Sequence, residues 1–303
     1  MMAAIIAALL AIPGVQAEPG ATTATFLLVP VGGRPVALGG AYTALAEDAY
    51  AMHYNPGAMA RAPREIVFAH NEHLLDMSQE YLAATFPLNV GVLGASINYF
   101  NLGKFDRAII SNTAAPGTPN SYALSGRFSA SNLAASIGYS RDILMPGLSG
   151  GITAKYIRQD IDNYDGATFA VDMGLYYHKK DHPLSLGFSV LNLGDKLRMR
   201  AREDDLPLTF RLGGAYRVIP EKLLFTADLS KTVKDDQYYA HIGGEYWIAE
   251  MIALRIGYDA VSSAGNGLRA GVGFRANQFS LDYAFSDEGA LKQAHRISVG
   301  YRF

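Results

Sequence analysis

The feature that most constrains this chain is the alternation running from Gly267 to its end. Every second residue is apolar along three successive runs: Leu268, Ala270, Val272, Phe274, then Phe279, Leu281, Tyr283, Phe285, then Ile297, Val299, Tyr301, Phe303. Between them stand Arg269, Arg275, Ser280, Asp282, Arg296, Ser298, Gly300 and Arg302. Side chains on a strand point alternately to two faces, so this pattern makes a sheet with one apolar and one charge-bearing face. A half-buried soluble sheet satisfies the same pattern. Repetition separates the two cases. The dyad rule recurs through the chain with tyrosine and phenylalanine near strand ends, the pattern of a transmembrane β-barrel that is apolar outside and polar inside.

The chain has no later stretch near the roughly 18 unbroken apolar residues of a spanning helix, so any membrane passage is by strands. A hydrophobic fraction of 50% suits a globular protein and a barrel equally. The absence of cysteine excludes a disulfide scaffold, a thiolate metal site and a lipid-modified cysteine. A net charge of −2 gives no basis for nucleic acid as a partner. Residues 1–17 read as a secretory leader without the usual basic start: Ala3 to Ile12 is apolar, Pro13-Gly14 breaks it, and Val15-Gln16-Ala17 offers a small-residue cleavage site. Export to the outer membrane of a Gram-negative bacterium is the expectation.

After that leader, residues 18–63 form one unit and residues 64–303 a barrel of about 14 antiparallel strands, each near the length that crosses a tilted bilayer. The first is placed over Glu65–Leu74 and the last over Ala294–Phe303. Connections such as Ala276-Asn277 and Ile248-Ala249-Glu250 are tight, while Leu193 to Pro207 and the Pro/Ser/Asn-rich Asn101 to Ser131 read as longer loops. Short periplasmic turns alternating with longer outside loops are what an outer-membrane barrel requires. Placing the apolar residues outwards directs Arg211, Arg217, Glu245, Arg255, Arg269, Arg275, Asp282 and Arg296 into the lumen.

Residues 18–63 follow a different rule, rich in alanine and glycine with a helix-like stretch from Ala41 to Met52 closed by Asn55-Pro56-Gly57. The segment has two readings, a short helical hatch filling the periplasmic mouth or a helix packed outside the barrel base. As a hatch it is anchored by Arg34, Asp48, Asn55 and Pro56, since a charge or amide inside a barrel needs a partner. Arg211, Arg255 and Arg296 are the partners expected for Asp48.

These same residues carry a resemblance. Phe26 to Arg34, Ala37 to Ala49 and Tyr54-Asn55-Pro56, with Asn192-Leu193-Gly194, Leu206-Pro207-Leu208 and His295 to Phe303, resemble the signature of PorV/PorQ-type outer-membrane proteins. That family is similar in architecture to the long-chain fatty acid transporters, which implies a 14-stranded barrel with an N-terminal hatch. The resemblance also implies a type IX secretion role, holding exported proteins at the outer membrane and passing them to the enzyme that attaches them to surface lipopolysaccharide.

No constellation for catalysis is visible. G-x-S-x-G and metal-protease patterns are missing. His70 and His73 are three apart on a strand and so face opposite sides. Asp160, Asp162, Asn163, Asp165 and Gly166 resemble a calcium loop but lack its later glutamate, which favours a hydrophilic hairpin tip. Gly213-Gly214 and Gly271-x-Gly273 lie within strands, where glycine eases curvature or makes lumen space. A non-enzymatic barrel without metal or cofactor is therefore expected, with membrane lipid around it. Its partners are either secreted proteins and secretion-machine subunits, or a small hydrophobic ligand passing inward aromatics such as Phe100, Tyr176, Tyr239 and Trp247.

Overall fold

The computed structural model describes residues 22–72, 77–111, 121–235, 237–260, 266–287 and 293–303. The leader expected over 1–17 and His73 lie outside them. The strands are β1 (Glu65–Glu72), β2 (Ser78–Leu88), β3 (Gly91–Ser111), β4 (Ser121–Asp142), β5 (Leu148–Ile161), β6 (Tyr164–His178), β7 (Leu184–Gly194) and the short β8 (Leu197–Met199) and β9 (Arg202–Asp204). They continue with β10 (Thr209–Ile219), β11 (Leu223–Thr232), β12 (Gln237–Ile248), β13 (Ile252–Asp259), β14 (Leu268–Ala276), β15 (Phe279–Asp287) and β16 (Gln293–Arg302).

Fourteen of these form a closed antiparallel barrel in chain order, with β8 and β9 paired apart as a small hairpin. Closure joins the first strand to the last, Glu65 opposite Arg302 and Glu72 opposite His295. The barrel wall itself has no open edge with unpaired backbone groups, which a bilayer would not tolerate. The alternation read from the sequence decides which face is which. On β13 Ala253, Arg255, Gly257 and Asp259 are buried inwards, while Ile252, Leu254, Ile256 and Tyr258 point out. A one-residue slip would put Arg255 against lipid at a cost of about 2–4 kcal/mol.

Two expectations are corrected. The described part of the stretch from Asn101 to Ser131 is strand, not loop: β3 and β4 stay paired out to Ser111 and Ser121, through register shifts after Asn101 and Asp106. Gly103 and Gly126, at φ 85 and 88, take backbone conformations that favour glycine and let the irregular ladder continue. The stretch from Ala41 to Met52 is not a helix. The helices are α1 (Gly33–Ala37) and α2 (Ala51–Tyr54), with 3-10 turns over Thr25–Leu28 and Pro56–Arg61. Alanine propensity loses because the backbone donors are taken by the wall: the N–H groups of Tyr42 and Thr43 donate to Asp228, and that of Ala49 donates to Glu65.

Candidate functional site

The site is the lumen together with the N-terminal segment that runs through it. The described part of this segment begins at the external end, where Thr22 bridges Asp205 and the Thr23 N–H donates to the Asp205 carbonyl at 3.0 Å. It descends past Gly33, whose N–H donates to Ser298 at 3.0 Å, and leaves through Glu65 at the periplasmic end. Val31, Leu38, Tyr42, Leu45, Met52, Tyr54 and Met59 along this path are buried against inward Val67, Tyr81, Tyr176 and Ala215. Burying each such side chain stabilises the arrangement by roughly 1.5–3 kcal/mol.

A track of glycines on the inner wall makes room for it. A Cβ on Gly151 would stand 2.2 Å from the Pro56 carbonyl oxygen, on Gly187 2.2 Å from that of Thr43, on Gly257 2.1 Å from the Gly39 nitrogen, and on Gly271 2.5 Å from the Ala37 Cβ. Gly174 is as close to the Asn55 amide oxygen, at 2.1 Å. Any larger residue at these positions would push the segment off the wall.

Polar groups fix its height and rotation. Arg34 makes a two-pronged pair with Glu245, Nε to Oε2 and Nη2 to Oε1 both 2.8 Å, and donates to the Tyr42 hydroxyl at 3.1 Å. Asp228 Oδ2 accepts from the backbones of Tyr42 (3.0 Å) and Thr43 (2.9 Å), from Thr43 Oγ1 (2.6 Å) and from Arg211 Nη2 (3.0 Å). Asn55 Nδ2 donates to the carbonyls of Thr43 at 2.9 Å and Leu175 at 3.0 Å, and its oxygen caps the following turn by accepting from Gly57 N. Pro56 opens that turn, and the Gly57 carbonyl accepts from Ser140 and Ser149. Glu47 accepts from Arg217 at 2.8 Å and Tyr176 at 2.6 Å.

Asp48 does not meet Arg211, Arg255 or Arg296, which corrects the partner expected for it. Its carboxylate accepts from the Tyr42 hydroxyl and from Tyr50 N, with Arg34 at 3.8 Å. The segment neutralises its own acid, because Arg211 is committed to Asp228, Arg255 to Glu245 and Asp282, and Arg296 donates to Ser286. Burial, with Glu65 nearby, pushes the Asp48 carboxyl up to about 7 against the pull of Arg34. Burial opposes the Arg34 charge as well, yet Glu245 holds that guanidinium well above its ordinary value. Burial and the cations Lys155 and Arg211 hold the His53 imidazole well below its ordinary value.

The remaining lining residues are inward too: Arg269 pairs with Asp259 at 2.8 Å, and Arg275 lies over the Trp247 ring at 4.4 Å. Around β1–β5 the lining is amide instead, Asn71 to Gln79 to Asn98 and Gln159 to Asn132. The four aromatics do not share a path. Phe100 sits at the external end, Tyr176 holds Glu47, Tyr239 stacks on His241, and Trp247 is at the periplasmic end. His70 faces outwards against Glu80. The hairpin acids are neutralised by arginine: Arg158 reaches Asp160 at 2.8 Å and Asp165 at 3.3 Å, and Arg107 pairs with Asp162. Sequence reasoning missed Asp228, Glu47 and Glu65 as the acceptors that hold the segment. The signal was there in the glycines that recur at inward phase on neighbouring strands.

The lumen ends differ. Outside, Phe26 and Leu27 pack with Phe100, Ile157, Leu197 and Leu206 in a buried apolar cluster. The hairpin β8–β9 that supplies Leu197 is tied at its roots, where Asn192 Nδ2 donates to the Pro207 carbonyl at 3.2 Å. At the periplasmic end Arg34, Glu47, Arg217, Trp247 and Arg275 line an open cavity of about 900 Å³.

A closed barrel of this kind, greasy outside and threaded by its own N-terminal segment, defines a membrane β-barrel of the outer-membrane type. The family described as an uncharacterised protein family, UPF0164, matches residues 1–303, and the chain belongs to it. A UPF0164 protein of Treponema pallidum (strain Nichols) is 23% identical over 301 residues, covering 94% of this chain and 70% of that protein. Among solved structures, the toluene transporter TbuX of Ralstonia pickettii superposes with a TM-score of 0.65 at 12% identity, over 90% of this chain and 98% of that one. The toluene transporter TodX of Pseudomonas putida gives 0.62 at 13%, over 88% and 96%. Both are likenesses of fold.

Proposed function

We propose that this protein is a non-enzymatic outer-membrane channel for small hydrophobic molecules, closed in the conformation described by residues 22–63 acting as a hatch. The observation that carries the reading is the apolar cluster at the external mouth, where Phe26 and Leu27 occupy a greasy seat that an apolar molecule fits equally well. The names of the two structural neighbours, both toluene transporters, support it. Arg34, Asp48, Asn55 and Pro56 are the anchors of the hatch, and export by the leader to a Gram-negative outer membrane completes the proposal. Liposomes carrying the purified protein should take up toluene faster than empty ones, while a polar sugar of similar size gains nothing. Equal uptake by loaded and empty liposomes would remove the channel reading.

The docking role implied by the PorV/PorQ resemblance is a second, weaker reading. Its one structural support is the β3–β4 hairpin, which is long enough to grip a polypeptide. A pull-down that recovers secretion-machine subunits would favour it.

A further inference from the structure

One arginine on the wall of the periplasmic cavity has no direct ion pair among the described residues. On this side of the lumen Arg34 and Arg255 pair with Glu245 and Asp282, Asp48 stands 3.8 Å from Arg34, and Arg275 lies beside them. Glu245 accepts both prongs of Arg34 as well as Arg255 Nε at 2.6 Å, and Asp282 Oδ1 accepts Arg255 Nη1 at 2.6 Å. Arg275 is the one left over. Among the described residues its guanidinium has neither a hydrogen bond nor an ion pair, only the Trp247 ring beneath it at 4.4 Å. It is half-buried on the wall of the cavity, so its donors are partly desolvated and its fork is held in place by the ring. The other nearby acids are engaged or remote. Glu47 is taken by Arg217, Asp48 by the Tyr42 hydroxyl, the Tyr50 N–H and Arg34, and Asp181, Glu221 and Glu250 stand on exposed turns at the rim, where water screens them.

From this we infer that the cavity is a binding site for an organic oxyanion, a carboxylate or phosphate whose two oxygens take the Arg275 fork while an attached apolar body lies along Trp247, Leu45 and Leu224. A planar fork with free donors selects such a head over a spherical ion. The ring and the two leucines give the body a surface that water does not hold. A free metabolite and a lipid or detergent tail with an anionic head carry the same chemistry, and probes of different body length tell them apart. The site does not depend on the transport reading, because it requires no passage through the lumen. Leu45 and Arg34 belong to the segment inside the barrel, so an occupied cavity touches it directly.

Trp247 is the only tryptophan in the chain and reports the site by its own fluorescence. Full-length protein in a neutral detergent is titrated with hexanoate, hexanol, acetate and a long-chain alkyl phosphate. Hexanoate should give a saturable change in emission that weakens as sodium chloride is raised, hexanol should give none, and acetate should bind at least about tenfold more weakly. Alkyl phosphate binding more tightly than hexanoate assigns the site to lipids, and the reverse assigns it to small metabolites. Arg275→Gln should weaken hexanoate by about tenfold or more, while Glu221→Gln on the rim leaves it unchanged. Equal responses to hexanol and hexanoate, or a wild-type response indifferent to salt, would overturn the anion site without any variant having to fold. Acetate binding as well as hexanoate would overturn the apolar half.

Discussion

The two mouths of the lumen are built from opposite materials. The external one is filled with apolar side chains from the chain's own N-terminal segment, tied down by backbone contacts to Asp205. The periplasmic one is a water-accessible cavity of about 900 Å³ with arginine and glutamate on its walls. Closing an apolar mouth costs little, since the same hydrophobic contacts that would hold a cargo hold the seal, and a cargo replaces them one for one. A polar mouth gains nothing from being closed, because its charges are better paired or wet. The difference teaches that the N-terminal segment is held most tightly in the upper and middle lumen, with Asp228 at the centre of its contacts.

Breaking that centre should have the largest effect. Asp228→Ala leaves Arg211 without its carboxylate and three hatch donors without an acceptor, a loss of about 3–5 kcal/mol. Channel conductance in planar bilayers should rise, with the barrel itself still resisting detergent at room temperature. Unchanged conductance would mean that Asp228 does not hold the closure.

Next in size, Phe26→Ala removes a buried ring from the external seal alone, about 3 kcal/mol. Toluene uptake should increase while the Trp247 emission, which reports the other mouth, stays as it was. A shift in that emission would show the two ends moving as one body and so erase the contrast.

A third test uses pH. Asp48 keeps its proton up to about 7 in the folded chain against 3.8 ordinarily, so between these values the folded state binds more protons than the unfolded one. Raising the pH through this window therefore loosens the hatch, and the loss is complete above 7. Between pH 6 and 8 the change is about 1.4 kcal/mol. Conductance should climb over that interval, and Asp48→Asn should flatten the profile.

The smallest effect belongs to Arg217→Ala. Its pair with Glu47 is a quarter exposed, 23% and 28%, and contributes under about 1 kcal/mol. A modest gain in conductance that disappears in high salt is the expected result, measured in the same bilayers.

The barrel was legible because one physical rule, alternation against lipid, acts on every strand separately. Arg255 between Leu254 and Ile256 declares its side of the wall with no knowledge of any other strand. The inward arginines and Asp282 followed from the same rule. The hatch was legible only as something different. Its turn at Asn55-Pro56 could be read from local chemistry, but the helix expected over Ala41–Met52 depends on hydrogen bonds that Asp228 and Glu65 take away. The partner of Asp48 was misread for the same reason, because which arginine is already committed is known only when all the carboxylates are in place.

What the sequence determined by itself is the antiparallel barrel of 14 strands, without the added β8–β9 hairpin, and the division of each barrel strand into a lipid face and a lumen face, since these follow from residues two apart. The tertiary structure alone decided how the N-terminal segment threads the lumen and which inward charges pair, with Arg275 left without an ion pair among the described residues of its cavity. Pairing inside a closed barrel joins residues 237 positions apart in Glu65 with Arg302 and 265 apart in Gly33 with Ser298, and no local pattern carries that distance.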